Sequence, residues 1–282
     1  MYVAPTTFAR RELEIEQADY AVLGIPYDSS QSYRVGSRLA PNAIREASRE
    51  LEDYDFEEDK DLLELRICDL GNVEVSYGNF METCSRVKDT LKDVLSKQVI
   101  PVSLGGEHTI SYSVVRCLPK DTFYLSIDAH LDFRDEYLGE KFSHACVNRR
   151  VFEHLQADNV LVVGVRSASK EELNDANKMG LDYISYSDFE KDNNAVLRRI
   201  RDKIEGKDVY LSLDMDAIDP KEAPGVCNPE PSGFSYSDIV RISRLLRNTD
   251  LRGVDLTEVT PIYDNYTPVL ASKILFKILQ TR

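Results

Sequence analysis

The 282-residue sequence lacks several features that mark other classes of protein. No apolar run approaches the length of a membrane span, and residues 1–10 contain no apolar signal segment. No repeat and no stretch rich in Pro, Gly or Ser divides the chain, so we expect one domain over residues 1–282. These absences predict a protein that is neither secreted nor embedded in a membrane.

Cysteine is scarce and positive charge is in the minority. The five cysteines are an odd number without Cys-x-x-Cys spacing, which indicates reduced thiols in a cytoplasmic protein. The 49 acidic residues exceed the 35 Lys and Arg, and the net charge of −14 argues against nucleic acid as a partner. An acidic field can also attract a cationic substrate, although an ordinary solubilising surface explains it equally well.

Three short polar strings each close an apolar run. They are Gly-Gly-Glu-His at 105–108, Asp-Ala-His-Leu-Asp at 128–132 and Asp-Met-Asp at 214–216. Side chains two positions apart in an extended chain point the same way, so those of each string can converge. The converging set is His108, Asp128, His130, Asp132, Asp214 and Asp216.

One such string alone is more simply a solvated acidic loop, but three strings at strand ends need another explanation. Four carboxylates at one site repel one another unless cations compensate them. A mixed set of carboxylates and imidazoles suits two divalent metals that share and deprotonate one water. The sequence therefore predicts a dinuclear metal site.

Apolar runs alternate with helical patterns along the chain. Strands are expected near 20–25, 65–70, 99–104, 122–127, 160–165, 181–185, 209–213 and 252–256. Helices are expected at 41–51, 80–95, 110–118, 145–155, 170–179, 195–204, 236–246 and 267–279. This alternation predicts a mostly parallel sheet with helices on both faces, and ligands then bind beyond the carboxyl ends of the strands. A (β/α)₈ barrel has the same element count, and alternation alone does not exclude it.

The three strings resemble the metal motifs of the ureohydrolases, the arginase and agmatinase family, and the resemblance extends over nearly the whole chain. Gly-Gly-Glu-His-Thr at 105–109 is similar to the first motif, which more often reads Gly-Gly-Asp-His-Ser. The segments 126–132 and 211–220 resemble the second and third motifs, and the length of the third makes it highly specific. The resemblance implies a three-layer α/β/α fold with a mostly parallel central sheet of about eight strands, in place of a barrel.

The resemblance also implies roles for single residues. The six residues of the converging set match the ligands of a dinuclear manganese centre with two Mn²⁺ per chain, in which Asp128 and Asp214 bridge the metals. Asp132 would also pass a proton to the departing amine. His144 matches an active-site histidine that shuttles protons, although a satisfied surface or core imidazole is the alternative. Glu258 matches the glutamate that holds a guanidinium group, and the alternative for it is an acidic strand end.

The amino-terminal segments 24–28 and 33–45 resemble agmatinase more than arginase. This implies a small cationic guanidino substrate, with agmatine hydrolysed to putrescine and urea, and assembly as a homo-trimer or homo-hexamer. Arginine, guanidinobutyrate, formiminoglutamate and aminopropyl-agmatine remain alternative substrates, because Val226-Cys227-Asn228 departs from the family pattern beside the substrate. A zinc-dependent deacetylase would need one metal only, and a non-enzymatic scaffold would be expected to have lost some of these residues.

Overall fold

A computed structural model describes residues 6–281, and an open parallel sheet forms its centre. The strands are β1 Tyr20–Ile25, β2 Tyr54–Asp55, β3 Lys60–Asp61, β4 Ile67–Asn72, β5 Ile100–Gly105, β6 Phe123–Ile127, β7 Val160–Val165, β8 Asp182–Ser185, β9 Asp208–Asp214 and β10 Asp250–Thr257. Eight of them form one sheet in the order β4-β1-β5-β10-β9-β6-β7-β8, with every neighbouring pair parallel. The short strands β2 and β3 pair antiparallel in a separate ribbon.

Helices cover both faces of the sheet. They are α1 Ala40–Ser48, α2 Phe80–Ser96, α3 Ile110–Val115, α4 Val147–His154, α5 Lys170–Met179, α6 Tyr186–Lys191, α7 Asn193–Ile204, α8 Tyr236–Ser243 and α9 Thr267–Leu279. One apolar core joins the sheet to α1, α6, α7, α8 and α9, and a second joins its other face to α2, α3, α4 and α5. Strand residues alternate between the two cores: Val22 and Leu125 belong to the first, and Leu23 and Tyr124 to the second.

The three-layer α/β/α prediction with about eight strands is confirmed. The barrel alternative is wrong, because β4 and β8 each pair with one neighbour only and the sheet therefore stays open. None of the helices in residues 6–281 has the length and apolar character needed to cross a bilayer.

The strand order brings the predicted site residues to one edge of the sheet. β5, β10, β9 and β6 are adjacent, and their carboxyl ends lead directly into the segments that carry His108, Glu258, Asp214 and Asp128. The turn after β5 also lies against the segment after β1, where Gly106 leaves no room for a side chain, since a Cβ there would be 1.9 Å from the carbonyl oxygen of Tyr27.

Candidate metal centre and active site

The first group of potential metal ligands joins the ends of three strands. His108 follows β5, Asp128 follows β6, and Asp214 is the last residue of β9; all three are buried. Nδ1 of His108 lies 3.0 Å from Oδ2 of Asp128 and 3.3 Å from Oδ2 of Asp214. The ligand atoms of this group lie within 4.8 Å of one another, which is close enough to surround one ion.

A second group shares one carboxylate with the first. It consists of Asp128, His130 and Asp216, again with ligand atoms within 4.8 Å of one another. Nδ1 of His130 lies 2.9 Å from Oδ2 of Asp216 and 3.8 Å from Oδ1 of Asp128. Asp128 therefore stands between two adjacent ligand groups, the arrangement that a bridging carboxylate requires.

The six predicted ligands differ in whether they belong to the two ligand groups. Asp214 belongs to the first group only, so its bridging role stays a prediction. Asp132 belongs to neither group, although its Oδ2 lies 3.2 Å from Nδ1 of His108. Its backbone φ of 49° is unusual for a residue with a side chain, and Asp132 lines the cleft beside the two groups.

These acids have no cationic partner from Lys or Arg within residues 6–281; their ion pairs are with imidazoles. Burial and the neighbouring carboxylates Asp216 and Asp128 raise the pKa of Asp214 well above its usual value. Burial and Asp128 raise the pKa of Asp132 to about 8. Burial also opposes ionisation of Asp216, but His130, together with hydrogen bonds involving Asp214 and the backbone of Ala129, outweighs it and lowers the pKa of that carboxyl.

The donor atoms fit divalent cations. Oδ2 of Asp128 is buried and accepts no hydrogen bond within residues 6–281, although Nδ1 of His108 is 3.0 Å away. Carboxylate oxygens and imidazole nitrogens are ligands that Mn²⁺ and its neighbours in the first transition row accept. Two cations at the two groups would compensate the uncompensated charge of these acids.

A hydrogen-bonded chain behind His108 fixes which ring nitrogen faces the acids. Tyr210 and Ser212 donate to Asp255 over 2.5 and 2.7 Å, and Nε2 of His108 lies 3.0 Å from Oγ of Ser212. The single hydroxyl proton of Ser212 is given to Asp255, so Ser212 accepts from Nε2–H. When the ring is neutral, Nδ1 of His108 is therefore unprotonated and free to bind a metal.

Glu258 lies directly after β10 with a φ of 64°, another left-handed residue at the site. Its Oε1 accepts from the backbone N–H of His108 over 2.6 Å, and its Oε2 accepts from Nε2 of Gln31 over 3.1 Å. Gln31 also contacts Sγ of Cys227. Burial raises the pKa of Glu258, while the contact with Cys227 and the His108 N–H oppose this. Cys227, where the sequence departs from the family pattern, therefore contacts Glu258, the carboxylate predicted to hold the guanidinium group.

His144 begins a short 3₁₀ helix ahead of α4 and lines the same cleft. Its Nδ1 lies 3.0 Å from Oγ of Ser30, which donates to Oε1 of Glu107 over 2.6 Å. Burial, with His130 and His108 adding to it, lowers the pKa of His144 to about 4. Burial therefore favours the neutral form of this imidazole.

Most of the predicted residues line one open cleft with a cavity volume of about 260 Å³, and His108 and Asp128 are buried outside its lining. Asp132, His144 and Glu258 line it together with most of the predicted metal ligands. Farther out, Glu230 lies with Oε1 3.6 Å from Nε2 of His130, and Arg134 also lines the cleft. The cleft therefore combines many acids with one arginine.

Arg134 is held at the wall by its neighbours. Its guanidinium carbon lies 5.6 Å from the centre of the Tyr137 ring, and its Nε is 3.8 Å from Oε2 of Glu172. Arg34, in the segment 33–45 that resembles agmatinase, instead donates to the carbonyl oxygen of Pro224 over 2.9 Å. Of these two arginines, only Arg134 lines the cleft.

Sequence reasoning missed the residues that support the site from behind. Ser212 precedes Asp214 by two positions and pairs in register with Asp255 on the neighbouring strand, so strand alternation and a known sheet order would have revealed both. Ser30 and Gln31 lie in the loop after β1, and no periodic signal predicts where a loop brings its side chains.

Comparisons with known proteins agree with this geometry. The model of the arginase family matches residues 18–280. The chain is 35% identical to the agmatinase of Pyrococcus horikoshii, over 95% of this chain and 93% of the relative. It is 34% identical to the N(1)-aminopropylagmatine ureohydrolase of Thermococcus kodakarensis, over 94% of this chain and 91% of the relative.

A solved structure gives the same result in three dimensions. The agmatine ureohydrolase of Thermoplasma volcanium superposes with a TM-score of 0.93 at 37% identity, covering 100% of this chain and 95% of that one. The resemblance identified from the motifs is thereby confirmed. The chain belongs to the arginase family and is an agmatinase-like ureohydrolase within it.

Proposed function

We propose that this protein hydrolyses a guanidino compound, with agmatine as the best substrate and putrescine and urea as the products. The observation that carries the proposal is the pair of His and Asp groups that share Asp128 beside a cleft lined by Glu258. We propose the six residues of the converging set as the ligands of two manganese ions. When bound, these ions would supply a water activated for attack on the guanidinium carbon.

The chain's own residues bind and orient the substrate. A guanidinium is flat and presents paired N–H donors, which match the two oxygens of a carboxylate. Glu258 is held from behind by the His108 N–H and Gln31, so its orientation is set before substrate arrives. It would direct the guanidinium carbon toward the two ligand groups and reduce the cost of orientation in the reaction.

Proton transfer falls to Asp132 and His144, which line the same cleft. Asp132 lies beside the ligand groups and is placed to pass a proton to the departing amine nitrogen. Burial favours the neutral ring of His144, which has one unprotonated nitrogen that can take up a proton and pass it to solvent. Putrescine leaves as the amine once its nitrogen is protonated.

The charge of the cleft supports agmatine as the substrate. Agmatine has a cationic tail without a carboxylate, and the acids that line the cleft, Glu230 among them, favour such a tail. A charge mismatch in a desolvated site costs several kcal/mol, so we expect kcat/KM for agmatine to exceed that for arginine by at least roughly 100-fold.

Urea release from a panel of guanidino compounds by the Mn²⁺-loaded protein tests the proposal. The panel contains agmatine, aminopropyl-agmatine, arginine, guanidinobutyrate and formiminoglutamate, each below saturation. A preference for arginine or guanidinobutyrate would contradict the agmatine assignment and implicate Arg134 in tail binding. No urea from any compound, with two metals bound per chain, would contradict the proposed function.

We also propose that residues 1–282 act as one domain, that the protein is cytoplasmic, and that it assembles as a homo-trimer or homo-hexamer. The free state of all five cysteines supports a reducing compartment. Light scattering of the metal-loaded protein measures the assembly, and a mass of one chain would contradict it.

A further inference from the structure

Three side chains from separate parts of the chain form a hydrogen-bonded line that ends at His144. Glu107 comes from the turn after β5, Ser30 from the loop after β1, and His144 from the 3₁₀ helix ahead of α4. The distances are 2.6 Å from Oγ of Ser30 to Oε1 of Glu107 and 3.0 Å from Oγ of Ser30 to Nδ1 of His144. Glu107 belongs to the first metal motif, but none of these contacts involves a predicted metal ligand.

With Glu107 ionised, the donors and acceptors of this line have one consistent assignment. The Glu107 carboxylate is buried and receives three hydrogen bonds: from the N–H of Ser30 over 2.7 Å, from its O–H over 2.6 Å, and from the O–H of Thr109 over 2.6 Å. In its ionised form Glu107 only accepts, so the single hydroxyl proton of Ser30 then points at Glu107. Oγ of Ser30 can then only accept from His144.

His144 makes two contacts with Oγ of Ser30. Its backbone N–H donates to Oγ of Ser30 over 3.0 Å, and Nδ1 lies at the same distance from that atom. Nδ1 must therefore carry the proton of the neutral ring, which leaves Nε2 as the basic nitrogen. The double contact also fixes the orientation of the ring relative to its own backbone.

We propose that Ser30 and Glu107 are positioning residues that hold His144 in its Nδ1–H tautomer, so that Nε2 accepts protons at the cleft. This inference rests on the proposed function through the role of His144. The proton taken up at Nε2 is released to solvent in the same turnover, so the ring is unchanged at the end. Glu107 stands where the family more often has Asp, and its longer side chain gives the carboxylate additional reach toward Ser30.

Two variants of Ser30 separate the hydrogen bond from the mere presence of a side chain. Ser30→Ala removes the acceptor, and Ser30→Thr keeps it. With the best guanidino substrate and Mn²⁺ at saturation, Ser30→Ala should lower kcat by roughly 10-fold or more, within the contribution of a general base. KM and metal content should stay near the parent values, and Ser30→Thr should recover most of the rate. Ser29→Ala, a change at an exposed neighbour, serves as the matched control.

The tautomer itself is measurable without turnover. The chain has four histidines, so ¹⁵N-histidine labelling of the Zn²⁺-loaded protein gives few signals, and His144→Asn assigns the one of interest. We expect the proton on Nδ1 in the parent and in Ser30→Thr, and a shift toward the Nε2–H form in Ser30→Ala.

Either measurement can overturn the inference. A parent spectrum with the proton on Nε2 contradicts it, as does a Ser30→Ala variant with the parental kcat. The failure of the proposed function looks different: no compound releases urea, while the tautomer spectrum still reports on Ser30 and Glu107.

Discussion

Buried carboxylates occur in two settings in this protein, and the two differ in what compensates their charge. In β4, the side chain of Asp69 accepts hydrogen bonds from Nε and from a terminal nitrogen of Arg45 over 2.8 and 2.9 Å. Beneath α9, Asp55 accepts from Nζ of Lys277 over 2.7 Å. At the ends of β6 and β9, by contrast, Asp128 and Asp214 have imidazoles as their only ion-pair partners within residues 6–281.

The pKa values follow this difference. Burial alone would raise the pKa of Asp55, but Lys277 and backbone N–H groups outweigh it and lower the pKa. At Asp214, burial and neighbouring acids raise the pKa together. The fold supplies a Lys or Arg cation to Asp69 and Asp55 but none to Asp128 and Asp214, where the acids are most crowded. That omission is understandable if cations bind from solution, which supports the proposed metal centre.

The same Asp→Asn substitution should have opposite consequences in the two settings. Asp128→Asn removes charge shared by both ligand groups, so we expect both metals to bind weakly and urea formation to fall on the order of 10³ to 10⁵-fold, matching the several kcal/mol that metal ions supply. Elemental analysis after Mn²⁺ loading measures the first effect. One metal or none in the parent would contradict the dinuclear assignment.

The Asp128→Asn substitution should also change the thermal stability of the metal-free protein. Burial and Asp216 raise the pKa of Asp128, with His108 opposing, so the ionised side chain costs stability when no metal is present. The metal-free Asp128→Asn variant should therefore unfold at a higher temperature than the metal-free parent. A lower unfolding temperature would show that Asp128 is compensated within the chain and would weaken the comparison.

Asp69→Asn should instead destabilise the fold and leave the metals in place. The substitution leaves the buried guanidinium of Arg45 without its carboxylate partner. Removing one partner of a buried ion pair lowers the free energy of unfolding by about 3–5 kcal/mol. Denaturant unfolding measures this loss, and metal content of the folded fraction should remain at two per chain. Loss of metal at full stability would contradict the assignment of Asp69 to a purely structural pair.

Metal loading should stabilise the protein, and more at high pH. In the metal-free chain the Asp132 pKa of about 8 lies above its unfolded value, so the folded form holds a proton that the unfolded form lacks, and this stabilisation is lost as pH rises through 8. A metal competes with that proton and binds better at high pH. Mn²⁺ at 100 times its Kd adds about 2.7 kcal/mol. Thermal unfolding at pH 6.5 and 8.5, with and without Mn²⁺, should show the larger increment at pH 8.5.

The regular elements were predictable where local signals agree. Helix α5, Lys170–Met179, was predicted at its observed bounds because Ser169 forms a capping box at its start and Gly180, with φ 79°, ends it. Strand β1, Tyr20–Ile25, also matches because it is a continuous buried run. The two-residue strands β2 and β3 and the six-residue helix α6 were missed, since such short elements show no periodicity.

The residues of the site also differ in how far the sequence predicts them. The predicted ligands lie in strings that end strands, and strand order alone then brings them together. The partners of His144 and Glu258 are Ser30 and Gln31, and their positions depend on the path of one loop over the sheet edge. The low pKa of His144 likewise depends on burial that only the folded chain creates.

The smallest expected effect concerns the one arginine in the acidic cleft. Arg134 faces the same cavity as the acids, with Glu172 3.8 Å away offsetting part of its charge. Arg134→Gln removes a cation that repels the agmatine tail, so KM for agmatine should fall by up to about 5-fold, the range of a partly exposed charge interaction of roughly 1 kcal/mol. KM for guanidinobutyrate, whose tail is anionic, should rise. Arg34→Gln is the matched control because its guanidinium binds Pro224 outside the cleft. Steady-state urea assays with both substrates measure these KM values. If KM changes in the same direction for both substrates, Arg134 affects the shape of the cleft and not the charge that the tail meets.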